Sequence, residues 1–79
     1  MNAKLEFEYN REGDTLYINK RRPYPDQEPA EIDYGVIARL NPATGEIENL
    51  EIVFFSQRLS EQTLFELPLV ADFRFDPTV

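Results

Sequence analysis

The chain has 79 residues, with 8 Lys and Arg against 15 Asp and Glu for a formal net charge of −7, and it contains no His, Cys or Trp. That size holds one small domain, and the missing residue types exclude a disulfide framework, a Cys/His zinc site, a Cys nucleophile and any histidine-based relay. An all-carboxylate Mg²⁺ or Ca²⁺ site remains open, because those hard cations take oxygen ligands.

Residues 4–9 alternate Leu5, Phe7 and Tyr9 with Glu6 and Glu8, the period of a half-exposed strand. Met1-Asn2-Ala3 leads straight into these glutamates, which stand where a secretory leader needs an apolar run. Turn formers follow in Asn10-Arg11-Glu12-Gly13-Asp14, with Gly13 expected to take a positive φ. A second β-prone run, Thr15-Leu16-Tyr17-Ile18-Asn19, completes a predicted hairpin.

Residues 20–29 differ in kind. Pro23, Pro25 and Pro29 preclude helix and central strand, so this is an exposed connection with extended edges. Pairing resumes around 31–34, and residues 35–40 form a strand with Val36, Ala38 and Leu40 on one face. Asn41-Pro42-Ala43-Thr44-Gly45 suits a type I turn followed by a positive-φ residue.

Residues 46–55 read as the longest strand. Leu50, Ile52 and Phe54 share one face and Glu51, Val53 and Phe55 the other, so its second half needs a cover on both sides. A short helix is expected to open at Leu59-Ser60, with Ser60 as N-cap and Leu59 stapled to Leu64, and to stop at Pro68. Ala71-Asp72-Phe73-Arg74-Phe75-Asp76 alternates again, as a fifth strand or an extended segment.

The fold class is therefore mainly β, or α+β by virtue of one short C-terminal helix. It is an antiparallel meander of about four strands with a possible fifth. Residues 1–59 form the core, and 60–79 pack on that core or on a partner. Ordering a chain costs roughly 1.5 kcal/mol per residue, which apolar burial barely exceeds at this size, so a homo-oligomer or another protein is the expected partner.

Charge is uneven: residues 1–25 carry a net +1, residues 26–51 a net −6 and residues 52–79 a net −2. Phosphate binding needs an excess of Lys and Arg, so nucleic acid is not an expected partner. No stretch approaches the roughly 18 apolar residues of a membrane span, and a cytoplasmic location is the default.

Tyr9-Asn10-Arg11-Glu12-Gly13-Asp14-Thr15-Leu16-Tyr17-Ile18 resembles the opening motif of the YuzE-like family of small domains, Tyr-Asp, an acidic residue, then Asp-x-Leu-Tyr-Ile. The stretch from Gly35-Val36 through Asn41, Gly45 and Leu50-Glu51-Ile52 to Ser56 looks like that family's second half. Asn10 stands for the usual Asp and Asn49 for the usual Gly. Because Asn tolerates the left-handed conformation, a bulge at 49 is expected to survive. The resemblance spans residues 4–59 and implies an antiparallel meander. It assigns no activity, and it implies only that an antitoxin-like role toward a small neighbouring protein is one reading, here with the acidic 26–51 region meeting a basic partner.

Three sets of residues carry candidate chemistry. Glu12, Asp14 and Glu51 could hold a divalent metal or share a proton if turn and strand met, and a small-molecule or metal-binding domain with weak hydrolytic activity is the reading they would support. Against this, Asp14 could cap its turn while Glu51 pairs with Arg39 or faces an interface. Lys20, Arg21 and Arg22, beside Tyr24 in its proline frame, could grip a phosphate, an acidic peptide or a partner's carboxylates, or could be solvated charges. Tyr9, Tyr17, Tyr24 and Tyr34 could stack on a planar ligand or fill a core. The leading reading is a non-catalytic, cofactor-free interaction or self-association module. Its contacts would be Lys20, Arg21, Arg22, Tyr24, Val53, Phe55, Phe65, Phe73 and Phe75.

Overall fold

The computed structural model describes residues 4–78. Residues 1–3, which precede the glutamates set against a secretory leader, and residue 79, the last of the 60–79 segment, lie outside the described residues. Five strands form one antiparallel sheet: β1 (Glu6–Asn10), β2 (Thr15–Asn19), β3 (Glu28–Asp33), β4 (Val36–Leu40) and β5 (Ile47–Ile52). They lie in the order β1-β2-β5-β4-β3, followed by one short helix, α1 (Phe55–Glu61). The sheet is thus a β1–β2 hairpin joined to a β3–β4–β5 meander through the β2–β5 contact, and the expected mainly β architecture holds.

Directly opposed residues in an antiparallel pair share a face. Leu16 faces Ile52 and Ile18 faces Leu50 across β2–β5, while Val36 faces Ile52 and Ala38 faces Leu50 across β4–β5. Val36, Ala38, Leu50 and Ile52 are the buried core. Phe55, Phe65, Leu67 and Leu69 pack on it from above. The opposite face carries Glu8, Tyr17, Glu51, Ile37 and Arg39, is partly open, and has Asn49 buried on it against the 20–27 connection.

The fifth strand is not the 71–76 segment, which forms no strand, but β3, which begins at Glu28 and includes Pro29. An outermost strand tolerates a residue without an N–H, so the proline that excludes a central strand is compatible with this one. The turn between β3 and β4 consists of Tyr34 and Gly35, with Gly35 at φ 67 rather than inside a strand. The Asn41–Gly45 turn forms as expected. Asn41 Oδ1 accepts from the N–H groups of Ala43 at 2.8 Å and Thr44 at 3.1 Å, and Gly45 sits at φ 74.

Three local expectations are corrected. In the first hairpin the positive φ belongs to Asp14, at 48°, and not to Gly13. Asp14 accepts that conformation because its carboxylate is used by Tyr9 and by the backbone of α1. The β5 strand ends at Ile52: Val53 N–H makes a last rung to Gly35 O at 2.9 Å, and Phe54 at φ 55 then reverses the chain.

The helix likewise starts at Phe55 and ends at Glu61, close to where it was expected to begin. Its first N–H groups are satisfied from a distance, Phe55 by Asp14 O and Ser56 by Asp14 Oδ1, both at 2.9 Å. A remote turn therefore supplies the cap that Ser60 was expected to provide. Leu59 and Leu64 stay exposed, so no staple forms. Beyond Glu61 the residues packed on the core are Phe65, Leu67 and Leu69, with a tight turn at Pro68 where Leu69 N–H donates to Leu67 O at 2.8 Å.

The bulge expected at 49 is present as a register shift. Arg39 pairs with Asn49 but Leu40 with Ile47, leaving Glu48 as the extra residue of β5. Asn49 itself keeps a negative φ.

Candidate interaction site

The bulge turns Glu48 and Asn49 inward against the proline-framed connection, and both are buried together with Gln27. Glu48 Oε1 accepts from Tyr24 OH at 2.6 Å and Gln27 Nε2 at 3.0 Å, and its Oε2 accepts from Asn41 Nδ2 at 3.3 Å. Asn49 Oδ1 accepts from Gln27 Nε2 at 2.7 Å, while its Nδ2 donates to Asn19 Oδ1 at 2.8 Å and Arg21 O at 2.6 Å. The Tyr24 hydroxyl, then Gln27, hold the Glu48 carboxyl below its ordinary value of 4.5, and Glu48 in turn raises the Tyr24 phenol above 10.0. These groups clamp a loop that has no ladder of its own.

That clamp absorbs most of the basic candidates. Arg21 lies 3.5 Å from Glu48 and 4.6 Å over the Tyr24 ring, and Lys20 pairs with Glu46. Tyr24 is committed to Glu48. Arg22 is exposed and makes no ion pair with a described residue.

The acidic candidates are not brought together. Among the described residues no group of three acidic side chains is placed to hold a metal ion. Glu12 is exposed in the first turn. Asp14 Oδ1 accepts from Tyr9 OH at 2.6 Å and Ser56 N–H at 2.9 Å, contacts that lower the Asp14 pKa below 3.8 and raise that of Tyr9 above 10.0. Its Oδ2 is enclosed and accepts from no described residue. Glu51 is paired across the strands with Arg39, Nη2 to Oε1 at 2.8 Å, in the open face. There Glu8, Tyr17 and Arg39 line a shallow depression of about 300 Å³.

The apolar candidates divide into two groups. Val53 and Phe55 belong to the fold, with Phe55 6.2 Å from the Tyr9 ring, and Phe65 lies on the core beneath Arg58, whose guanidinium is 5.4 Å from its ring. Phe73 and Phe75 stand 81% and 88% exposed. Sequence reasoning missed a second exposed apolar set, on β1 and the residue before it. Leu5, Phe7 and Tyr9 continue the core face beyond the reach of the 65–69 cover, and Phe7 is 63% exposed. The signal was present in the chain order, since the first strand of a hairpin has one neighbour unless another strand returns to it.

The chain matches no protein-family model, no curated protein and no solved structure. Among the described residues no helix is long and apolar enough to cross a membrane. Tyr9 and Asp14 are the two ends of a side-chain hydrogen bond across the first hairpin.

Proposed function

We propose that this protein is a non-catalytic docking module that receives an extended polypeptide segment along the outer edge of β1. The observation that carries this reading is Phe7, 63% exposed on an outermost strand whose five residues are all solvent-facing. An outer strand offers a row of backbone donors and acceptors to an added strand, and alternate side chains select the occupant. The other outer strand, β3, is guarded by Pro29 and by a bulge near Ile32, both of which discourage strand addition. Strand β1 has neither. Its apolar side chains lie on the core face, where those of an added strand would pack beside them, and Glu6 and Glu8 on the other face favour an occupant with basic residues between its apolar ones.

The test is a titration with short peptides carrying Phe at alternate positions and either Arg or Asp between them, followed by backbone amide shifts. Arg-containing peptides are expected to shift residues 5–10 most strongly, and Phe7→Lys to abolish the response. Shifts confined to other strands, or none, would refute the reading.

A further inference from the structure

We infer that the occupant of the β1 edge is residues 71–76 of a second copy of this chain, exchanged reciprocally to give a two-fold dimer; this rests on the docking reading above. The segment Ala71-Asp72-Phe73-Arg74-Phe75-Asp76 has strand periodicity but belongs to no strand. It follows directly on the stretch in which Phe65, Leu67 and Leu69 pack on the core. Where that stretch stops covering the sheet, Val70, Phe73 and Phe75 turn to solvent.

The two exposed sets are complementary. Placed antiparallel with Phe73 opposite Phe7, the segment sets Phe75 opposite Leu5, apolar against apolar on the core face. The same register puts Arg74 opposite Glu6 and Asp76 opposite Lys4 on the other face. That register also sets Asp72 directly opposite Glu8, a like-charge pair that opposes the two favourable ones and is moderated by Arg74, which is 3.3 Å from Asp72. A peptide edge and a matching strand on one chain make a self-complementary surface. A two-fold axis satisfies both edges at once and closes the assembly.

The experiment measures the mass of the full chain by light scattering over a concentration series, for the wild type, Arg74→Glu, Glu6→Arg and a mixture of the two variants. The wild type is expected to be a dimer. Each charge reversal places like charges opposite at both edges and should raise the dissociation constant roughly tenfold. Mixing the two variants should restore dimers, seen by intact mass as heterodimers, because the variant segment then meets the variant edge and the native segment the native edge. All the altered side chains are exposed, and circular dichroism checks that each variant is folded.

A monomeric wild type overturns the inference, as does a dimer indifferent to the reversals or not restored by mixing. If a monomeric wild type still binds the Arg-containing peptides at β1, the docking reading survives the loss of this one. If those peptides leave β1 unshifted, both fall.

Discussion

Arg58 Nη2 donates to the carbonyl of Tyr34 at 2.7 Å, joining α1 to the β3–β4 turn across 24 positions of sequence. The same guanidinium donates through Nε to Val53 O at 2.8 Å and lies over Phe65, so one side chain ties the helix, the end of β5 and the extended cover together. Replacement by Met keeps the stem and removes the two hydrogen bonds and the cation–π contact. A loss of about 2 kcal/mol is expected from hydrogen bonds to a charged donor. Urea unfolding measures it, and hydrogen exchange should show residues 65–69 loosening before the sheet.

Arg58 also explains why Gly35 must be glycine. At φ 67, a Cβ on residue 35 would overlap the Arg58 guanidinium and come within 2.7 Å of Val53 Cγ2. Gly35→Ala therefore combines backbone strain with a clash and should cost about 2–4 kcal/mol. Gly45 is the control: its φ is 74 but nothing lies within 4 Å of a Cβ there. Gly45→Ala should cost only about 1 kcal/mol, and the difference between the two midpoints isolates the steric part.

Asn49 is 2% exposed, and all its side-chain hydrogen bonds go to the connection or to β2. Asn49→Ala takes the Asn49 donor from Asn19 Oδ1 and Arg21 O and leaves Gln27 Nε2 with Glu48 alone. The expected destabilisation is about 2–3 kcal/mol, and protease cleavage within residues 20–27 should accelerate by a larger factor than cleavage elsewhere.

The pH dependence follows from two carboxylates and their tyrosines. Asp14 and Glu48 have folded pKa values below their ordinary ones, so their contribution is complete above about pH 5 and fades as the pH falls through the depressed values. Tyr9 and Tyr24 are raised, so their contribution is complete below about pH 9 and is lost as the pH climbs through the raised values. Stability should therefore plateau between these limits. Asp14→Asn and Glu48→Gln should each lower the plateau and flatten the acid limb, which denaturant midpoints across pH will show. A limb unchanged in both variants would contradict the assignment.

Much of the sheet was legible because strand period and turn chemistry are local. Alternation at 4–9 and 15–19 identified the hairpin, and Val36, Ala38 and Leu40 identified β4. Asn41 and Gly45 announce their turn, and an acid at Glu51 has Arg39 as a cross-strand partner in the sequence as in the fold. The helix was misplaced for a physical reason. Its N-terminal partner, Asp14, is 41 positions before Phe55, and no window of sequence around 55–61 contains it. The apolar residues after Glu61 were likewise read at a helical spacing until the sheet beneath them selected the alternate set, Phe65, Leu67 and Leu69.

By itself the sequence determined the available chemistry, the antiparallel β character and the positions where the chain must turn, since these depend on side-chain type and on neighbours a few bonds away. Only the tertiary structure decided which carboxylates meet partners, where the helix starts and which aromatic residues stay in water. Those outcomes depend on which distant segments pack on the same side of the sheet, and a small sheet has too little cover for Phe7, Phe73 and Phe75 as well as for its core.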